Sequence, residues 1–181
     1  MPSPRFTDST LKFLRSIQKN NNREWFRTHR NQYETNVRKP MIEILDRLSV
    51  DLLRFAPDLI ASPKRSMYRI YRDTRFSSNK SPLKTQIAAI MPHRELTKHG
   101  GAGLYFHIAP DHVLIGAGIY APEPRELNYL REHISLNSNQ LRTIVESPSF
   151  RRNFGELKGQ RLKRVPRGFD HDHPAAYYLK F

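Results

Sequence analysis

Apolar residues recur at helical spacing in three successive stretches near the start of the chain. In "DSTLKFLRSIQKN" Leu11, Leu14 and Ile17 share a face, with Asp8 or Ser9 placed to cap the start. "NNREWFRTHRNQYETNVRKP" predicts a second helix with Asn21 as N-cap, Glu24 three residues on, and Trp25, Phe26, Tyr33 and Val37 as its stripe. Pro40 ends that helix and suits the first turn of a third, in which Met41, Leu45, Leu48, Leu52 and Phe55 face the core. The period then changes. "RSMYRIYR" is rich in aromatic and branched residues and predicts a strand, and "KTQIAAIMP" a second.

"GLYFHIAPDHVLIGAGIY" predicts a hairpin turning at Pro110–Asp111. Simple pairing puts Leu104, Phe106 and Ile108 on one face with Val113, Ile115, Ala117 and Ile119, toward the helices. Tyr105 and His107 fall on the other face with Leu114, Gly116 and Gly118. Helical spacing returns at Leu127, Leu130 and Ile134, then at Leu141, Ile144 and Val145, before a basic, irregular stretch from Ser149. The expected fold is α+β: N-terminal and later helices packed on a small antiparallel or mixed sheet. The length, 181 residues, suits a single domain spanning 1–181.

Charge changes this picture most. The net charge is +14, divided as +4 in residues 1–60, +6 in 61–120 and +4 in 121–181, so it belongs to the folded body and not to a tail. Such a balance favours anionic partners, nucleic acid among them. The absence of cysteine excludes disulfides, thiolate metal sites and cysteine nucleophiles. No apolar run is long enough to span a bilayer, and "MPSPRFTDST" lacks a secretory core, so a cytoplasmic protein without a membrane partner is expected.

The cations concentrate in "YRIYRDTRFSSNKSPLK", where three arginines and two lysines surround one acid, Asp73. Asp73 accepts one guanidinium fork fully, so Arg69, Arg72 and Arg75 cannot all be neutralised by it. A surplus fork, with Lys80 and Lys84 in the following loop, is what a phosphate or carboxylate requires. The same arginines also suit an internal clamp using distant acids such as Glu24 or Glu34. His107 suits a general acid or base, and equally a satisfied, partly buried histidine. Asp170, His171, Asp172 and His173 have metal-ligand types, but their adjacency reads as a solvated turn before Pro174, and no metal or cofactor is assigned. "GGAG" at Gly100–Gly103 precedes a strand and lacks a phosphate-loop lysine. Trp25, Phe26 and Tyr33 read as core, not as base-stacking platforms. Packing by Tyr105 or a helix explains Gly116 and Gly118. The run Arg151–Arg167, with seven basic residues and one acid, suits either a phosphate backbone or a solvated surface.

"NNREWFRTHRNQYE", "YRIYRDTRFSSNKSPLK", "GAGIYAP" and "GFDHDHP", in this order, resemble the family catalogued as domain of unknown function 2461. The resemblance implies a family and no activity. Where the family commonly has Pro-Tyr-Lys, this chain has Pro82-Leu83-Lys84, and it stops at Phe181 where relatives usually continue, so a C-terminal element is expected to be missing. Three functional classes fit. The first is a module binding a phosphate-rich or other anionic ligand, nucleic acid included, through Arg69, Arg72, Asp73, Arg75, Lys80, Lys84 and His107. The second is an enzyme on an anionic substrate, with arginines stabilising charge and Asp73 or His107 handling protons. The third is a structural or interaction protein in which the arginine network holds the fold. No catalytic residue and no oligomeric state are assigned.

Overall fold

The opening helices form on the predicted apolar stripes, with different caps and joints. A computed structural model describes residues 3–181; Met1 and Pro2, the start of the stretch searched for a secretory core, lie outside them. The chain divides into two compact units, Met1–Tyr120 and Ala121–Phe181.

In the first unit α1 spans Asp8–Lys19 and buries Thr10, Phe13, Leu14 and Ile17. Its N-cap is Thr7, not Asp8 or Ser9, because Thr7 is the last extended residue before the helix. The second helix starts at Arg23 and is capped by Asn22, whose side chain accepts the Trp25 N–H, not by Asn21. After α2 (Arg23–Thr28) and α3 (Arg30–Tyr33), a π-helical turn over Glu34–Arg38 leads directly into α4 (Lys39–Phe55). Pro40 therefore joins two helical segments and does not separate them. Having no N–H, it leaves the Asn36 carbonyl without its usual i+4 donor, and the Thr10 hydroxyl donates to that carbonyl at 2.6 Å. Met41, Leu45 and Leu52 are buried, but Phe55, the last residue of α4, is 68% exposed. A short helix, α5 (Pro63–Ser66), follows.

The sheet is antiparallel, ordered β1 (Ile87–Met91), β2 (Gly103–Ile108), β3 (Val113–Gly118). The hairpin turns at Pro110–Asp111 as predicted, and Arg15 of α1 donates to the Pro110 carbonyl at 3.2 Å. Leu104 faces Ala117, Phe106 faces Ile115 and Ile108 faces Val113, so the predicted faces are correct. Leu104, Phe106 and Ile108 pack against the core formed by α1, the π turn, α4 and β1. Val113 and Ile115 do not: they are 61% and 80% exposed. Both β1 and β3 are edge strands, but the helical layer packs on β1 and β2 and leaves β3 outside it.

"RSMYRIYR" is not a regular strand. Ser66 ends α5, and Met67 and Tyr71 make isolated bridges to Ala89 and Leu83. Tyr68 donates to the Ala88 carbonyl, but Arg72 donates to that of Pro82, so the segment leaves β1 and runs beside residues 82–84. Pro82 has no N–H to return that bond, and the pairing stays fragmentary. Strict alternation is lost: Met67 and Ile70, three apart, both pack into the core.

The second unit holds α6 (Pro124–Leu136), α7 (Ser138–Val145), α8 (Pro148–Phe154) and a closing 3-10 turn at Tyr178–Lys180. The stretch expected to be irregular from Ser149 starts as α8, because Ser147 caps it by accepting the Phe150 N–H and Pro148 suits its first turn. The whole is an α+β arrangement, and no helix of the described residues is long and apolar enough to cross a membrane.

Candidate functional site

Strand parity places Ala88 and Ile90 of β1, Tyr105 and His107 of β2, and Leu114 and Gly116 of β3 on the sheet face away from the core helices. Above that face lies a cavity of about 550 Å³, walled also by Tyr68, Lys84, Gln86 and His99. Gly116 is opposite Tyr105 in the register, and a Cβ there would meet only Leu114 Cδ2, at 3.9 Å. Among the described residues nothing lies within 4 Å of a Cβ at Gly118, whose φ of +137° favours glycine. Neither glycine is packed by a ring or a helix, contrary to expectation. Together they keep the floor of the cavity open. Gly103 differs, because a Cβ there would sit 2.8 Å from the Met91 carbonyl oxygen.

Lys84 reaches this cavity because of its neighbour. Asn21 accepts the Leu83 N–H at 2.9 Å and donates to the Leu83 carbonyl at 3.0 Å, acting as one residue of a pairing strand. Leu83 is fully buried, so the clamp fixes the backbone and turns Lys84 outward. The Lys84 ammonium lies 4.9 Å from the Tyr68 ring centre, and that of Lys98 lies 4.1 Å from it. Lys98 also donates to the Met67 carbonyl at 3.1 Å. Burial, then Arg69 and Arg72, lower the Lys84 pKa, while burial, then Lys84, lower that of Lys98.

Lys84 and Gln86 also line a shallower groove of about 340 Å³ with Arg72, Asp73 and Thr85. Arg75 takes Asp73 in a fork, with Nε at 3.0 Å and Nη2 at 2.8 Å, and its own N–H adds a third bond. Those hydrogen bonds hold the Asp73 carboxyl at about 2. The internal clamp is therefore Asp73 with Arg75. Among the described residues Arg69, Arg72 and Lys84 have no carboxylate partner. Arg72 donates to Ser77 Oγ at 3.4 Å, and Lys80 donates to the Thr74 carbonyl at 3.0 Å. The structure thus gathers Arg72, Asp73 and Lys84 in the groove and Lys84 with His107 in the cavity. Arg69, Arg75 and Lys80 line neither.

His107 is 7% exposed, and burial followed by His112 lowers its pKa, which keeps the ring neutral near pH 7. Its Nδ1 meets the Tyr105 hydroxyl at 3.0 Å and its Nε2 meets His112 Nε2 at 2.9 Å. Burial raises the pKa of Tyr105, with Gln86 opposing, and raises that of Tyr68 with help from Tyr105 and Tyr120. Among the described residues no three His, Asp or Glu side chains gather as a metal site. His173 instead meets Ser135 Oγ at 3.0 Å through Nε2 and accepts the Ala175 N–H at 3.0 Å through Nδ1.

The family model described as Conserved hypothetical protein (DUF2461) matches residues 9–181. The chain belongs to this family. No curated protein and no solved structure matches it. In this DUF2461 chain Leu83 faces the core, and its successor, Lys84, brings a charged group to the cavity. Sequence reasoning missed Tyr68, Gln86, Lys98, His99 and His112. Parity gave a signal for His112, two residues before Leu114 on the His107 face, but Lys98 is brought in by a loop with no periodic pattern.

Proposed function

We propose that this chain binds a small organic anion, a phosphate or carboxylate carried on a flat apolar body, in the cavity above the sheet. Lys84 is the observation that carries this reading. It lines both the cavity and the Arg72 groove, has no carboxylate partner among the described residues, and is crowded by Arg69 and Arg72. An anion there relieves the repulsion, and the Lys84 pKa rises when it binds. Ala88, Ile90 and Gly116 offer the apolar body a flat floor, in a volume typical of small-molecule sites. A cytoplasmic location accompanies this reading. An enzyme acting on such an anion is the second reading, favoured by the contact between Tyr105 and His107 in the same cavity.

The test is calorimetric titration with 4-nitrophenyl phosphate, with inorganic phosphate and a single-stranded oligonucleotide as comparisons. Lys84→Met weakens the nitrophenyl ester by about tenfold or more, the loss expected for one charge-assisted hydrogen bond. Oligonucleotide binding that falls steeply with salt and ignores Lys84→Met would move the interface to the general basic surface. Failure of both phosphates to bind the wild type would refute the cavity reading.

A further inference from the structure

Tyr105 and His107 stand two residues apart on β2, and His112 is carried to the same face by the hairpin. The Tyr105 hydroxyl, both nitrogens of His107 and both of His112 form an unbroken series with Asp111, with contacts of 3.0, 2.9 and 2.9 Å. One end lies at the cavity and the other in solvent, where the His112 side chain is 53% exposed and that of Asp111 76%. His107, between them, is buried.

The direction of each bond follows from the outer end. The ionised Asp111 carboxylate only accepts, so His112 carries its proton on Nδ1 and donates it. His112 Nε2 is then bare in the neutral ring and accepts from His107 Nε2–H. His107 Nδ1 is bare in turn and accepts the Tyr105 hydroxyl proton. Other groups leave this order undisturbed. The cross-strand neighbours of His107 are Ala88 and Leu114. Tyr105 faces Gln86 and the edge of Tyr68, 6.2 Å away between ring centres. Lys84 supplies the positive charge in the same cavity.

We propose that this series is a proton wire, through which Tyr105 takes a proton from a hydroxyl group of a bound anion while His112 passes one to solvent. The ligand O–H bond breaks and its electron pair stays on the ligand oxygen. That proton bonds to the Tyr105 oxygen as the Tyr105 proton moves to His107 Nδ1 and the His107 Nε2 proton moves to His112 Nε2. The products are a ligand oxyanion beside Lys84 and a His112 imidazolium beside Asp111. Nothing is oxidised or reduced. The substrate class is a small anion bearing an ionisable hydroxyl, and the reaction class is general-base activation of that hydroxyl. The identity of the ligand rests on the anion-binding reading above, whereas the wire rests on the contacts among Tyr105, His107, His112 and Asp111.

Two measurements on the full chain test it. Long-range proton–nitrogen NMR should show the neutral His107 ring protonated on Nε2 and the neutral His112 ring protonated on Nδ1. A His107 proton on Nδ1 would overturn the wire. The second uses 4-hydroxy-3-nitrobenzoate, an anion whose hydroxyl ionisation is visible by colour, followed after a rapid pH jump. Ionisation of the bound probe slows at least about tenfold in Tyr105→Phe and in His112→Ala, and added imidazole restores the rate only in the latter. Unchanged rates in both variants would also overturn the proposal. A probe that fails to bind the wild type refutes the anion-binding reading and the substrate class with it, and the ring tautomers then decide the wire separately.

Discussion

Replacing Gly116 separates a glycine kept for ligand space from one required by the fold. A Cβ at this position points into the cavity and has one neighbour, Leu114 Cδ2 at 3.9 Å, and the residue is not among the glycines with positive φ. Alanine therefore meets neither a clash nor backbone strain. A strand-interior glycine costs about 0.5–1 kcal/mol relative to alanine, so Gly116→Ala should be more stable by that amount. For a chain of this size, at about 2–4 °C per kcal/mol, the thermal midpoint rises by about 1–4 °C. Gly116→Val places two methyl groups over the floor opposite Tyr105 and overpacks a bound ring. At about 1–3 kcal/mol that weakens 4-nitrophenyl phosphate by about fivefold to about 150-fold. Thermal unfolding and calorimetry on the same preparations measure both quantities. Gly103→Ala is the control, because its Cβ would fall 2.8 Å from the Met91 oxygen and must destabilise. A lower midpoint for Gly116→Ala, or unchanged binding for Gly116→Val, would refute the reasoning.

Asn21→Ala removes both bonds to the Leu83 backbone and is expected to cost about 1–3 kcal/mol in urea unfolding. It should also weaken the nitrophenyl ester by loosening Lys84; stability and affinity both unchanged would show that the clamp positions nothing. Tyr33, 5% exposed, has its pKa pushed up to about 12, chiefly by burial and then by Glu34. The neutral phenol favours the folded state, so this contribution is complete below pH 10, the ordinary tyrosine value, and is lost as pH rises toward 12. A loss of about 3 kcal/mol over that window is expected, and Tyr33→Phe should flatten the alkaline arm of the stability profile.

What the sequence determined by itself was whatever is local and periodic. The stripes of α1 and α4, the hairpin at Pro110–Asp111 and the pairing of Tyr105 with His107 follow from side-chain spacing, because a helix or strand repeats its geometry every few residues. The surplus of cations over Asp73 was equally legible, since one carboxylate holds one fork. Caps at Thr7 and Asn22 were missed by one residue, because several cap-forming side chains stand together and backbone angles choose among them. The strand expected at "RSMYRIYR" failed for a reason outside the segment: its partner includes Pro82, which has no N–H to complete the pairing. The exposure of Ile115 depended on which strands the helical layer covers, which no spacing encodes. Tertiary structure alone brought Asn21 to Leu83, sixty-two positions away, and Lys98 to Tyr68. It also decided which arginine keeps Asp73 and placed Lys84 in the lining of a cavity. Contacts across such separations depend on how the layers pack, and packing is a property of the whole chain at once.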